Sequence, residues 1–494
     1  MTLIVEPEKR IPVIYDADVV VAGGSVAGVF AAMAAARMGA RTVLVERFGA
    51  VGGNMGPGMI CGGSLGSGRP HPQAHHQAAI YPGFVGIPKE FIERHASLGG
   101  GSVPPYSSCN YLRDSNVASY TAMKMLEESG TILMLSTYAT DPIMEADRIT
   151  GLFTEDKSGR RAVTAKVVID ATGDADVAKR AGAPMLYPKA SYHEIDGHSP
   201  TGMALYFVVG GVDWDTYNAF MRAYEPGQED LAWAQKTLGE KKSQKYRHLL
   251  TFLRQAEDSG QYRLPVIEDF CGTRIEIGIL IANKRRWKSE VPIENTHAVG
   301  TVGPSRIYEE IDTGDGTHIS ELEAKLRMSA FEFAHFYKTY VPGFEDSYLL
   351  VVAPFLGARG GPCIEGEYTL TMEDCRAGRR FDDVIYLYGE FRALRYTCEQ
   401  GECKWTDMPY RVMVPKKVDG MLAVGRSASG IPDTLLRNRM AVKHMGQAGG
   451  TAAALAAKGH TSPRDLDVKE LQSALLDSGF YLGDRSRLKE LGLV

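Results

Sequence analysis

Residues Ala17 to Glu46 read ADVVVAGGSVAGVFAAMAAARMGARTVLVE, and their order decides the fold. An apolar strand, Val19 to Ala22, runs into a glycine turn at Gly23, Gly24 and Gly28. An alanine-rich helix follows, then a second strand from Thr42 to Val45 that stops on an acid, Glu46. This is the order of a nucleotide-binding βαβ unit. Gly23 permits the sharp turn, small residues at 24 and 25 let backbone N–H groups approach a pyrophosphate, and Gly28 lets helix and strand pack closely. The helix start adds free N–H groups and a positive dipole end. Glu46 stands where a carboxylate accepts hydrogen bonds from a ribose hydroxyl pair. Against G-x-G-x-x-G the chain reads Gly23-x-Ser25-x-x-Gly28, so the second position carries a Cβ. A βαβ unit without ligand and a membrane segment are the rival readings. The uncharged run Val19 to Ala36 is dense in Gly and Ala, short of about twenty strongly apolar residues, and lacks a preceding basic region.

The chain has 494 residues, enough for two or more lobes with large cores. A net charge of −5 and a pI near 6.2 argue against nucleic acid or an anionic membrane as the main partner. The basic clusters Lys241–Lys245 and Lys284–Lys288 read as solvated helix faces. No transmembrane, signal or lipidation segment is recognised, so a cytoplasmic location is expected. The seven cysteines form no Cys-x-x-Cys pair and the histidines complete no zinc pattern, so no metal is expected and a reducing compartment suits the chain.

After Glu46 comes RFGAVGGNMGPGMICGG, a glycine-rich loop suited to close backbone contact with a flat ligand. Residues 64–108 read as an irregular excursion. A helix is expected from about Asn116 to Ser129 and a strand from Thr131 to Leu135. Two hairpin-like strands surround Lys157-Ser158-Gly159, and Val167 to Asp174 reads as a buried strand breaking at a glycine. From about 186 to 350 strand-like pieces, Gly202 to Val209 and Arg274 to Ile281, alternate with polar helices near 213–257 and 318–340. That change of pattern marks an inserted lobe. The first style then returns: Gly420 to Val424 is a short strand ending at Gly425-Arg426, and an Ala/Gly-rich helix is expected from His444 to Lys458.

Three blocks together resemble the FAD-dependent oxidoreductase family of the glutathione-reductase-like superfamily, in particular the bacterial branch near the fumarate-reductase and thiazole-synthesis flavoproteins. They are the N-terminal βαβ unit with its VERFGAVGGN extension, VVIDATGDADVAKRAGA from Val167 to Ala183, and PYRVMVPKKVDGMLAVGRSASG…GQAGGTAAALA from Pro409 to Ala456. A fourth, IEGEYTLTMEDCRAGRRFDDVI from Ile364 to Ile385, is a narrower match. The resemblance implies an α/β fold: a Rossmann-like FAD-binding domain of glutathione-reductase type with an inserted α+β substrate or cap domain. The expected boundaries are 1–185 and 351–460 for the two parts of the FAD domain, 186–350 for the insert and 461–494 for a C-terminal helical tail. A substrate pocket between the lobes is expected.

The resemblance also implies site residues. Gly23, Ser25, Ala27 and Gly28 would hold the pyrophosphate. Glu46 would bind the adenosine ribose, with Arg47 near the adenine. Gly52, Gly53, Asn54 and Met55 would pass along pyrophosphate and flavin. Ala171-Thr172-Gly173 would cross close to the nucleotide, and Gly425-Arg426 would lie beside the ribityl chain. Gly446, Gln447 and Gly449 would set a helix N-terminus under the flavin pyrimidine, where it stabilises the negative charge of the reduced ring. The chain departs from its relatives at Pro362-Cys363, which stands in place of an arginine pair, and at Ser427 to Pro432, where relatives carry a histidine.

The flavin performs the redox step, so the protein needs positioning and one acid or base. His444 is a candidate acid–base group, against a histidine bonded within the fold. Arg411 and Arg359 are candidates for holding an anionic substrate, against structural ion pairs. Arg69, His71, His75 and His76 read as a lid with substrate contacts. The glycine runs Gly62 to Gly68 and Gly357 to Gly361 open no helix, so no second dinucleotide domain is expected. The expected function is an FAD-dependent dehydrogenase or oxidase of a small polar molecule. An FAD monooxygenase and a non-catalytic flavin-binding subunit are the alternatives, and a homo-oligomer is left open.

Overall fold

In the computed structural model the described residues are 3–59, 79–81, 83–100, 114–187, 203–245, 247, 249–260, 299–307, 313–358, 360–389, 405–431, 433–436 and 439–494. The chain divides into two compact units. The first comprises Met1–Gly56, Cys61–Gly197 and Gly360–Val494, and the second Pro57–Ile60 and His198–Arg359.

The first unit opens with β1 (Val13–Ala22), α1 (Gly28–Arg37) and β2 (Thr42–Val45). Then come β3 (Ala79–Tyr81), α2 (Gly86–Ser97), α3 (Ser115–Glu128), β4 (Ile132–Met134), β5 (Tyr138–Glu145), β6 (Arg148–Asp156), β7 (Gly159–Asp170), α4 (Asp176–Arg180) and β8 (Met185–Leu186). Among the described residues the main sheet has seven strands, six in the order β4-β2-β1-β7-β6-β5 and the seventh, Met421–Ala423, paired with β7 near its end. β4, β2, β1 and β7 run parallel, and β5, β6 and β7 form an antiparallel meander. β1 is buried on both faces: Val19 and Val21 enter the core beneath α1, while Val20 and Ala22 enter the core on the other side. A strand covered on both faces reads as a continuous apolar run, which is why Val-Val-Val-Ala was legible. The stretches expected separately at 162–166 and 167–174 form one long strand, because β7 pairs β6 through its first half and the Met421–Ala423 strand through its last residues.

In the second unit β9 (Met203–Gly210) lies between β10 (Val299–Ile307) and β11 (Tyr348–Val352), all antiparallel, with β12 (Gly357–Ala358) extending the pairing on β9. α5 (Trp214–Ala223), α6 (Gln228–Thr237), α7 (Glu240–Lys245), α8 (Leu250–Asp258) and α9 (Gly316–Tyr340) complete it. Asp213 and Asp315 cap α5 and α9 by accepting from the first free N–H groups. Phe207, Tyr217, Tyr337 and Phe344 fill its core. The strand expected at Arg274 to Ile281 lies outside the described residues.

The chain then returns to the first unit with β13 (Cys363–Ile364), β14 (Leu370–Thr371), α10 (Met372–Ala377), β15 (Val384–Gly389), β16 (Thr406–Pro409), β17 (Met421–Ala423), β18 (Gly430–Ile431), α11 (Arg439–Gly459), α12 (Val468–Asp477) and α13 (Arg485–Glu490). α11 lies on α1, and the contact is made by glycines. A Cβ on Gly446 would collide with the Ala27 carbonyl oxygen, and one on Gly450 with that of Ala31. Four-residue spacing on both helices puts these pairs on one facing stripe. The C-terminal tail is pinned by Arg487, which pairs with buried Asp407 at 3.3 Å and donates to the Phe381 carbonyl at 3.0 Å.

Candidate functional site

The C-terminal ends of β1, β2 and β7 lie side by side, and the glycine turn after β1 occupies the gap above them. In open α/β sheets that edge is where ligands bind. Gly23 takes a left-handed φ of +96°, and a Cβ there would lie 2.7 Å from the Ala171 carbonyl oxygen and 3.1 Å from the Thr172 Cα. The Ala171-Thr172-Gly173 block therefore crosses directly against the turn. A Cβ on Gly28 would collide with the Gly23 carbonyl oxygen, so α1 starts as close to the strand as backbone permits. The departure at Ser25 has a local role, since its hydroxyl accepts the Gly28 N–H at 3.2 Å. A helix N-terminus at this place presents a positive dipole end to an anion.

Glu46 closes the other side. Gly24 donates its N–H to one carboxylate oxygen at 2.7 Å, and Phe48 donates to the other at 2.8 Å. Burial raises the Glu46 pKa above the usual value, against the lowering effect of those two bonds and of Arg47. Each carboxylate oxygen keeps a further lone pair for a ribose hydroxyl. The Arg47 guanidinium lies over the Phe48 ring, 4.8 Å from its centroid. The next loop docks on the same turn: Gly52 donates to the Gly24 carbonyl at 2.7 Å, and a Cβ on Gly53 would lie 3.1 Å from the Ser25 Cα. Met55 is buried, and the side-chain oxygen of Asn54 is buried without a hydrogen-bond partner among the described residues. An orphaned acceptor beside a backbone cradle fits a bound ligand that carries hydroxyl or N–H donors.

The C-terminal block completes the cradle. Gly425, at φ +70°, sits on Ala27: a Cβ there would be 2.9 Å from the Ala27 Cβ. Arg426 forms an ion pair with Asp174 at 2.8 Å. Ser427 is fully buried, and its hydroxyl accepts the N–H groups of Gly173 and Ala175, both at 3.1 Å. Asp170, buried at the end of β7, accepts from the Thr172 N–H at 3.0 Å, the Thr172 hydroxyl at 2.7 Å and the Ala178 N–H at 2.9 Å. Burial raises its pKa. Asp176 is pushed up to about 6, by burial first and then by the Asp170 and Asp174 carboxylates. Asp170, Asp174 and Ser427 had no assigned role in the sequence reading. The signal was present: an acid ending a strand before Thr-Gly is placed to bind the turn that follows it.

Other expected placements are corrected. α11 begins at Arg439, not near His444, so Gly446, Gln447 and Gly449 lie inside the helix and not at its N-terminus. Gly446 serves the contact with α1, and Gly449 lies against Val424, where a Cβ would be 2.5 Å from Cγ1. Gln447 accepts the Ile87 N–H at 2.8 Å. The helix starts at Arg439, and the glycines gave a false marker for its N-terminus.

His444 is completely buried. Its Nδ1 bonds the Met440 carbonyl at 2.8 Å and its Nε2 accepts the Val85 N–H at 3.2 Å. That pairing fixes the neutral tautomer with the proton on Nδ1. Burial pushes its pKa down to about 3, with Lys443 adding to the shift. An acid–base group needs an exchangeable proton near the working pH and a ring nitrogen free to use it, and this histidine has neither. Together with Gln447 it caps α2, whose own N-cap residue Val85 supplies no side-chain bond. Arg411 is spent in a bidentate pair with Asp383, at 2.9 and 3.0 Å, and is therefore not placed as an open anion clamp. Cys363 is buried in β13 against β8. Arg359 and the cluster Arg69, His71, His75 and His76 lie outside the described residues. Among the described residues no group of His, Cys, Asp and Glu could hold a metal ion, and no helix is long and apolar enough to cross a membrane.

No curated protein matches the chain. One similar solved structure is a geranylgeranyl bacteriochlorophyll reductase-like protein from Thermoplasma acidophilum, with 13% identity over 94% of this chain and 84% of that one, at a TM-score of 0.40. Another is the myxobacterial chondrochloren halogenase, a variant of FAD-dependent halogenases, with 10% identity over 93% of this chain and 79% of that one, at 0.43. A third is the anhydrotetracycline hydroxylase of Streptomyces rimosus, with 11% identity over 93% of this chain and 65% of that one, at 0.41. The model of one family, described as FAD dependent oxidoreductase, covers residues 18–475, from the middle of β1 into α12. The chain belongs to the FAD-dependent oxidoreductase family, and its cofactor is FAD.

Proposed function

We propose that this oxidoreductase is a dehydrogenase or oxidase that passes a hydride between a small polar organic substrate and the flavin N5. The observation that carries the reading is the convergence of the cofactor blocks on one glycine turn, at Gly23 to Gly28. The other glycine runs in the sequence lead into Arg-Pro-His-Pro and toward β13, and among the described residues the latter opens no helix. One nucleotide cradle suits a reaction in which substrate and electron acceptor use the same flavin in turn. Bound FAD supplies the hydride chemistry. The chain supplies the rest: Glu46 accepts ribose hydroxyls, the α1 N-terminus binds the pyrophosphate, and Asn54 offers its unsatisfied oxygen to a cofactor donor.

The purified protein is expected to be yellow and to release FAD on denaturation; FMN, or a colourless protein after reconstitution, would refute the cofactor assignment. Under anaerobic conditions, alcohols, sugars and acids are then screened for bleaching of the flavin. Bleaching by substrate alone supports a dehydrogenase or oxidase. A substrate that does not bleach the flavin, yet gains an oxygen atom from labelled oxygen when the flavin is pre-reduced, would replace this reading by a monooxygenase.

Glu46→Ala is expected to weaken FAD retention by about ten- to a hundredfold, since a hydrogen bond to a charged group contributes roughly 1.5–3 kcal/mol. Equilibrium dialysis or flavin fluorescence titration of stripped protein measures this directly. Unchanged affinity would show that a different acid holds the ribose.

A further inference from the structure

The turn after β7 is held in an unfavourable shape, and the residues that hold it come from a segment about 250 residues later. Ala175 adopts φ +55° although it is not glycine, and it is fully buried. Residues with a Cβ adopt that left-handed conformation rarely. The Ser427 hydroxyl accepts the N–H on both sides of Asp174, from Gly173 and from Ala175 at 3.1 Å each. The Asp174 carboxylate between them meets the Arg426 guanidinium at 2.8 Å, with both side chains largely shielded from water. From inside the turn, Thr172 bonds the Asp170 carboxylate and accepts the Asp176 N–H at 2.9 Å. The other face of the same segment, Ala171 and Thr172, lies against Gly23.

We infer that Arg426 and Ser427, acting through Asp174 and the 173–175 backbone, are positioning residues that press the Ala171–Gly173 segment onto the Gly23 turn and thereby set the affinity for FAD. The inference rests on the FAD reading of the cradle. It differs from the expected role of Arg426 beside the ribityl chain, because the guanidinium is directed to Asp174. The arrangement makes the cradle depend on a hydrogen-bond acceptor at position 427 and on a charge pair between 174 and 426. A loosened turn would leave the Gly23 side of the pyrophosphate site without its opposing wall.

The test uses full-length protein stripped of flavin and titrated with FAD, with thermal unfolding of each apo form as the parallel readout. Ser427→Ala is expected to weaken FAD binding about tenfold or more and to change the visible circular dichroism of the bound flavin. Asp174→Asn and Arg426→Gln should each weaken binding, and the double variant should lose no more than the worse single one, as for a coupled pair. Glycine at 175 adopts φ +55° without a Cβ penalty. Ala175→Gly in the Ser427→Ala background is therefore expected to regain part of the lost affinity. Additive losses at 174 and 426, or losses confined to apo unfolding with FAD affinity unchanged, overturn the inference. So does failure of the glycine rescue in a folded Ser427→Ala protein. If Ser427→Ala does not fold, the 174/426 cycle decides alone. A wild-type protein that binds no FAD would instead refute the cofactor reading itself.

Discussion

Lowering the pH from 7 toward 4 is expected to remove several kcal/mol of stability, and two histidines carry much of the loss. His95 and His444 are both fully buried. Burial brings the His95 pKa down to about 4 and the His444 pKa down to about 3, from an ordinary value of 6.5. Unfolded, each binds a proton near pH 6.5; folded, neither does. The unfolded chain therefore takes up more protons throughout the window, and stability falls as pH falls. Their contribution is complete above pH 6.5 and declines as the pH drops toward 4 and then 3. At about 1.4 kcal/mol per pKa unit, full protonation costs about 3 kcal/mol through His95 and about 5 kcal/mol through His444. Glu46, Asp170 and Asp407, whose pKa values are raised by burial, act in the opposite direction over the same range. Denaturant titrations at pH 7, 6 and 5 read out the slope. His444→Gln should flatten it, since the variant has no group that must charge. The same variant should be less stable at pH 7 yet retain catalysis per bound flavin. A wild-type slope in His444→Gln would show that the ring is already charged in the folded protein. A hundredfold fall in turnover per flavin would return it to the chemistry.

Gly450→Ala is expected to be among the most damaging single methyl additions at the described glycines. The added Cβ would collide with the Ala31 carbonyl oxygen on α1, a backbone atom that cannot turn aside. α11 must then move off α1, and Gly446, which leans on Ala27, moves with it. Overpacking of this kind costs about 1–3 kcal/mol and occasionally more, even though alanine has the better helix propensity. Both the melting temperature and the flavin content of purified protein should fall. Gly459→Ala is the control: it lies at the end of the same helix, where the nearest heavy atom to a Cβ is a Thr461 methyl at 3.8 Å. Equal behaviour of the two variants would mean that the helices are not in backbone contact.

β1, α1, β2 and the last part of β7 were legible because each is a local pattern: a strand buried on both faces, a glycine turn, an alanine helix and a closing acid. The convergence of Glu46 with Gly24, and of Ala171 with Gly23, followed from that pattern. The C-terminal glycines were legible only as a demand for close approach. Glycine removes a Cβ in the same way for a phosphate as for another helix, and no neighbouring residue says which one is there. His444 and Arg411 failed for a different reason. Each is decided by a partner that local reading does not reach: Val85 lies 359 residues away and Asp383 lies 28 away. A solitary basic residue near an expected site looks the same whether it awaits a substrate or is already bonded. Ser427 shows the converse, since it was read as the loss of a family histidine and proves to bond two backbone N–H groups in the cradle.

The dependence of α2 on His444 and Gln447 for its first hydrogen bonds has a consequence for synthesis. Both acceptors lie on α11, and the contacts span 359 and 360 residues. A ribosome adding 5–20 residues per second needs roughly 20–70 s to cover that distance. For that interval the nascent chain carries the α2 start without its partners and the α1 stripe without its cover. The N-terminal half can collapse but cannot finish. Truncation upstream of Arg439 should therefore yield a chaperone client, and the emergence of α11 should act as the step that lets the first unit reach its final state.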